Sequence, residues 1–323
     1  MSDQHFLYNF YSIHADDEIY YDGQKGYSQD NTISFIMPVV NREAVLMEQT
    51  VLAYFLKENG FRHLAIPVRN KENEWFTMWQ DQSYMVLWTE QLKESDSLSP
   101  GEKLAYFHEI GTTYPYEPQK ISSYGDWKQL WIYKLTMHEE KSLQDKENIP
   151  SSYRDFIIDL FPYLIGISEN AIQYVNETNE EHRFHKGDQG TIAFQRYNEQ
   201  LEEPILWTHE LCYDHPARDI AEMLRGMFLQ LSEEEEIIHF LKDYEAVRPL
   251  SIFSWRLIYA RLIYPIHLFD ALDRLYEQPQ DEHFRTLQRL IENQEDYEYK
   301  LRQFFHYSGI DAKNLRIPML NWL

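Results

Sequence analysis

Glycine is scarce in this chain, at 11 of 323 residues, about half the usual ~7%. Few glycines leave few backbone loops able to cradle a phosphate. Neither G-x-G-x-x-G nor G-x-x-x-x-G-K-[ST] occurs, which excludes the dinucleotide-binding and P-loop fingerprints. Cysteine is rarer still. Cys212 is the single thiol, so no disulfide can form within the chain, no C-x-x-C metal site exists, and a reducing compartment is expected. A lone cysteine in apolar surroundings reads as a small buried hydrophobe before it reads as a nucleophile. Cations are outnumbered, 30 Lys+Arg against 53 Asp+Glu, a net charge of −23. That balance speaks against non-specific nucleic-acid binding and against docking on anionic lipid, since both need clustered Lys and Arg. It fits a solvated acidic surface, or a basic partner. No run approaches 18 uninterrupted apolar residues, and the opening Met1–Glu18 lacks the basic and apolar regions of a signal peptide; cytoplasmic synthesis is the expectation.

What is present is an ordinary core fraction and many aromatics. Hydrophobic residues make up 43% of the chain and aromatics 15%, including 24 tyrosines, enough for one large domain or two lobes. Most of these rings should be core or half-buried cover; the rest could form association patches. The first ninety residues read as strands around one helix. Glu18–Tyr21 and Thr32–Val40 are β-rich, with turn chemistry at Asp22-Gly23 and Gly26. Asn41 is placed to cap a helix to Lys57, closed by Asn59-Gly60. Leu64–Val68, Trp75–Trp79 and Ser83–Trp88 read as three more strands.

After Thr89 helical periodicity takes over. Ser99-Pro100-Gly101-Glu102 is a capping box with proline at the first helical position. Helices are expected over 102–112, 127–141, 152–178, 220–231, 233–246, 251–277 and 281–307. Pro162 and Pro265 should kink or break theirs, and Ser232 with Glu233–Glu236 reads as a second capping box. One segment interrupts the run: Thr191–Tyr197 and Pro204–Leu211 are β-like, so 187–214 is expected to be a hairpin. The expected class is α+β, with a small β-rich N-lobe (1–88) and a mostly helical C-lobe (89–323). His138-Glu139-Glu140 and His209-Glu210 begin like H-E-x-x-H but lack the second His. His182, His185 and Asp188 are spaced for a metal, yet read first as a mobile polar loop.

The layout resembles the two-lobed protein-kinase-like fold, in the branch of the aminoglycoside and choline phosphotransferases. Three strings carry the likeness. Tyr124-Gly125-Asp126-Trp127 resembles a helix-opening segment of kinase-like spore coat proteins, and Tyr213-Asp214-His215-Pro216-Ala217-Arg218-Asp219 resembles the motif after the metal-binding loop. Phe194-Gln195-Arg196-Tyr197 is similar to the catalytic-loop string. Together they identify the chain as a member of the spore-coat-associated, YutH/CotS-type kinase-like family. The resemblance implies coat association after synthesis in the mother cell, with other coat proteins or a second copy as partners. It also raises oxidative cross-linking of tyrosines.

Residue by residue, the family's chemistry does not carry over. The catalytic Asp falls on Arg196, the preceding His on Phe194 and the metal-binding Asn on Leu201. The metal-binding Asp falls within Ile205–His209, around Trp207 and Thr208, and no Asp lies between Gln189 and Tyr213. The phosphate-binding Lys falls near Ile36 or Met37, which leaves Glu48 without its partner and facing solvent or a local polar group. The Gly-rich loop shrinks to Asp22-Gly23-Gln24-Lys25-Gly26. Mg²⁺ needs hard oxygen ligands to bridge phosphates, and this set offers none. The expectation is therefore a pseudokinase with no metal, no cofactor and no Mg-ATP binding, in which Asp214 and Asp219 keep structural roles. The alternatives are a phosphotransferase using Asp188, Glu210 or Asp214 as displaced acids, and a regulatory pseudokinase with a ligand in the old cleft. Arg196 is expected to be buried and paired with Glu199, Glu210, Asp219 or carbonyl groups, because an unpaired buried charge costs several kcal/mol.

Overall fold

The computed structural model describes residues 2–39, 42–90, 92–93, 97–144, 150–180 and 185–320. The expected Asn41 cap and His182 lie outside the described residues. The chain forms two compact units: 1–122 with 191–214, and 123–190 with 215–323.

The first unit opens with α1 (Asp3–Phe6), which runs into a π-helical turn. Then come β1 (Asp17–Tyr21), β2 (Gln24–Gln29), β3 (Thr32–Val39), α2 (Glu43–Glu58), β4 (Leu64–Val68), β5 (Thr77–Trp79), β6 (Gln82–Thr89) and α3 (Pro100–Thr112). After an excursion into the second unit the chain returns as β7 (Thr191–Phe194), β8 (Leu206–Trp207) and β9 (Leu211–Asp214). The main sheet has the order β1-β2-β3-β6-β4-β8, with β5 on β6 and only β4–β8 parallel. Its two faces hold separate cores. Phe35, Leu46, Leu87 and Trp207 share one cluster, and Phe6, Tyr27 and Val86 share another.

Gly26 reads as a turn residue in the sequence but lies inside β2. Glycine stands there for a packing reason: a Cβ would lie 2.6 Å from the Phe35 ring. The turn is Asp22-Gly23, with φ of 47° and 70°, the pair of positive values that a two-residue type I′ hairpin requires. The 187–214 hairpin also differs from expectation. β7 pairs with Leu211–Asp214, while Leu206–Trp207 within Pro204–Leu211 joins the main sheet beside β4. The Ser99–Glu102 capping box forms as read.

The second unit is helical: α4 (Trp127–Gln144), α5 (Ser151–Glu180), α6 (Ala217–Leu229), α7 (Glu234–Val247), α8 (Ile252–Ile263), α9 (Ile266–Glu277), α10 (Asp281–Glu292), α11 (Gln294–Arg302) and α12 (Phe304–Tyr307). Every residue of α8 from Phe253 to Ile263 is buried, so this helix is the unit's axis. Pro265 separates α8 from α9, whereas Pro162 stays inside α5. The second capping box does not form. Glu233 occupies the cap without a side-chain hydrogen bond, and the acidic first turn of α7 suits the positive end of the helix dipole instead. The 281–307 segment breaks at Asn293 and Gln303.

Candidate functional site

The hairpin sits where α2, α3 and β4 meet in the first unit, and each degenerate position has a definite place there. Phe194 is completely buried, stacked on Phe107 with ring centroids 4.9 Å apart and beside Tyr197. The ring serves the core of the first unit. Leu201 is buried in a 3₁₀ turn over 200–202. Trp207 is buried edge-on to Phe35, 4.8 Å between centroids, and the Thr208 hydroxyl donates to the Ala65 carbonyl at 2.5 Å. Of the two candidate lysine positions, Met37 packs into the cluster containing Phe35 and Trp207, while Ile36 faces the other core.

Arg196 departs from expectation. It is exposed, and its Nη1 donates to the neighbouring Gln195 carbonyl at 2.9 Å. Water solvates the guanidinium, so the desolvation argument for a buried ion pair does not apply. Amides fasten the loop instead. Gln200 Nε2 donates to the Arg196 carbonyl, and Gln195 Nε2 to the His209 carbonyl. Gln49 Nε2 reaches from α2 to the carbonyls of His209 and Leu211, both at 2.8 Å. Nothing in the local sequence signals Gln49, because its partners lie 160 residues away. Glu48, beside it, is also employed: its carboxylate accepts the backbone N–H groups of Gln119, Lys120 and Ile121 at 2.7–3.1 Å. Its partner is a turn of backbone amides.

A cavity of about 290 Å³ lies in this unit between Gln24, Met37, Arg42, Leu46, Trp207 and His209. Burial, then Arg42, lowers the His209 pKa, so the ring is neutral at pH 7. The Glu210 carboxyl is pushed up to about 7 by burial and by the charges of Asp22 and Glu203. Such a carboxyl is partly protonated at neutrality.

Asp188, the other displaced acid considered, belongs to the second unit and has no spare oxygen. It accepts from the His185 N–H and from the Ser251 and Ser254 hydroxyls at 2.6 Å each, and faces His215 Nε2 at 3.4 Å. Burial alone would raise its pKa; these hydrogen bonds outweigh burial and hold it below the ordinary value. His185 accepts from the Gly187 N–H, so 185–188 is a hydrogen-bonded turn. Asp214 and Asp219 are fully buried, at the end of β9 and in the first turn of α6. Among the described residues no group of three or more His, Cys, Asp or Glu is placed to hold a metal. The donor set at the degenerate positions does not fit the Mg²⁺ that the kinase-like fold implies.

A sheet-based unit with an inserted hairpin and a helical unit define the class: the kinase-like fold of the aminoglycoside phosphotransferases. An aminoglycoside phosphotransferase from Alicyclobacillus acidocaldarius superposes with a TM-score of 0.59, over 91% of this chain and 93% of its own, at 14% identity. The spectinomycin phosphotransferase APH(9)-Ia superposes at 0.57 over 95% and 98%, at 10% identity. Within that class the chain belongs to the family described as spore coat putative kinase YutH, which it matches over residues 4–304. It is 31% identical to the endospore coat-associated protein YutH of Bacillus subtilis, over 91% of this chain and 89% of the relative.

Proposed function

We propose that the protein is a kinase-fold component of the endospore coat that acts by assembly and not by phosphoryl transfer. Its main support is the donor set: Phe194, Arg196, Leu201, Trp207 and Thr208 stand where the chemistry needs carboxylate, amide and imidazole. Phosphoryl transfer depends on metal-bridged phosphates held in line, and none of these side chains supplies an anionic oxygen. Three of them are core residues of the first unit, so restoring the ligands would cost packing as well as chemistry. Coat association follows from family membership, with coat proteins as the partners.

Two measurements test the reading. A ligand with Kd of ~10 μM, present at ~1 mM, would add about 2.7 kcal/mol of stability. Mg-ATP at that concentration should leave the melting temperature unchanged; a magnesium-dependent rise together with phosphate transfer to any acceptor would overturn the proposal. A fluorescent fusion in sporulating cells should collect at the forespore surface, and uniform mother-cell fluorescence would refute the coat assignment.

A further inference from the structure

The N-terminal half of α5 meets α10 and α11 by ring contacts at one end and a hydrogen bond at the other. Tyr153 and Phe156 close on the Phe284 ring, with centroids 4.2 and 5.4 Å apart. Further along, the Tyr163 hydroxyl donates to Glu298 Oε1 at 2.6 Å. Between these contacts lies a cavity of about 410 Å³, walled by Phe156, Leu160, Tyr163 and Ile291 and edged by Asp159 and Glu295. Every residue lining it belongs to the second unit, so the groove is a feature of the helical unit's own surface.

Its chemistry is specific. The walls are aliphatic and aromatic, and Ile158, on the outer surface of α5 nearby, is 50% exposed. The polar groups at the edge are carboxylates: Asp159 and Glu295 are exposed and Glu298 half-buried, with no Lys, Arg or His among the described lining residues. Pro162 has no N–H, so the Ile158 carbonyl lacks its helical donor and stands as an acceptor on the same turn. Gln294, 7% exposed at the floor, has an Nε2 near the Tyr163 hydroxyl that completes no hydrogen bond. An apolar slot of this volume admits one or two large side chains and is at the small end for a free small-molecule site, typically ~300–1,000 Å³. A second copy of a chain carrying −23 would bring repulsion to this edge. A cationic chain would bring attraction.

We infer that the groove between α5 and α10–α11 docks a basic amphipathic segment of a partner protein. An apolar side chain enters between Phe156, Leu160 and Ile291, and flanking Lys or Arg residues pair with Asp159 and Glu295. This goes beyond the proposed assembly role and does not depend on whether the hairpin retains chemistry, since no residue of the groove belongs to the first unit.

The test uses the full chain and a fluorescent helical peptide of alternating Leu and Lys pairs, with oligolysine of equal charge as reference. The Leu/Lys peptide should bind at least about tenfold more tightly than oligolysine, about 1.4 kcal/mol. Asp159→Lys with Glu295→Lys should weaken it about tenfold again. Glu58→Lys with Glu72→Lys, exposed acids of the first unit, should change affinity less than about twofold. A photo-reactive phenylalanine at one Leu position should cross-link to residues 153–163 or 287–298. Circular dichroism melts confirm that each variant is folded. Equal affinity for oligolysine, indifference to the groove variants, cross-links elsewhere, or no binding would each overturn the inference. A dimer in sedimentation that dissociates in the Asp159→Lys, Glu295→Lys variant would assign the groove to a second copy and overturn it as well.

Discussion

Two single residues, Arg196 and the buried Asp188, respond to opposite physics. Arg196 is exposed and donates to the neighbouring Gln195 carbonyl, so Arg196→Asp should change stability by no more than about 0.5 kcal/mol, as surface substitutions usually do. On the proposed assembly role it should confer no magnesium-dependent ATP hydrolysis. A rise in ATP turnover after this one change would show a nearly intact kinase centre. Asp188 is the contrasting case. Asp188→Ala strands two hydroxyls, an N–H and His215 in a dry site, and should cost about 3–5 kcal/mol in urea unfolding. A loss below ~1 kcal/mol would mean that solvent reaches those donors. The sign with pH follows from the depressed carboxyl. Its contribution is complete above the ordinary aspartate range and is lost as pH falls through the lower folded value.

At the scale of elements, α6, α8 and α11 are tied together by a fully enclosed guanidinium. Arg225 donates to the carbonyls of Arg261 and Tyr264 and to the Tyr297 hydroxyl, which itself donates to the Leu262 carbonyl. His267 packs on Tyr297 at 5.0 Å, and burial, reinforced by Arg225, lowers its pKa to about 3. The ring is neutral in the folded state, whereas in the unfolded chain it takes up a proton near pH 6.5. Below that pH the unfolded state binds more protons, so stability should fall as pH drops from 6.5 toward 3. The slope for one group is at most about 1.4 kcal/mol per pH unit. His267→Gln should flatten this limb of a stability–pH profile. An unchanged slope would locate the acid sensitivity elsewhere.

The whole molecule carries its −23 charge on a fold whose described helices include none long and apolar enough to cross a membrane. Self-repulsion among so many carboxylates opposes compactness. Raising NaCl from ~10 to ~150 mM shortens the Debye length from ~30 to ~8 Å. The melting temperature should therefore rise over that range in a scanning melt. A fall would mean that attractive pairs such as Lys103–Glu202, 2.6 Å apart, outweigh the repulsion.

The sequence by itself determined the architecture. Local rules sufficed where one element carried the signal: the Ser99–Glu102 capping box, the Asp22-Gly23 turn and the Leu64–Val68 strand all formed as read. The absence of Asp from 190 to 212 needs no coordinates at all. Only the tertiary structure decided what surrounds the hairpin side chains, because burial and long-range hydrogen bonds leave no local trace. Arg196 is exposed because the loop turns it outward, and Glu48 found three amides more than seventy residues away. The Asp188 network joins a 3₁₀ turn, His215 ahead of α6, and α8 across 66 residues. β2 was hidden because glycine's usual meaning is a turn, and the Phe35 ring that requires it belongs to a different strand. The acidic groove arises from helices more than a hundred residues apart in the chain, so the periodicity of each predicts a helix and neither predicts the groove.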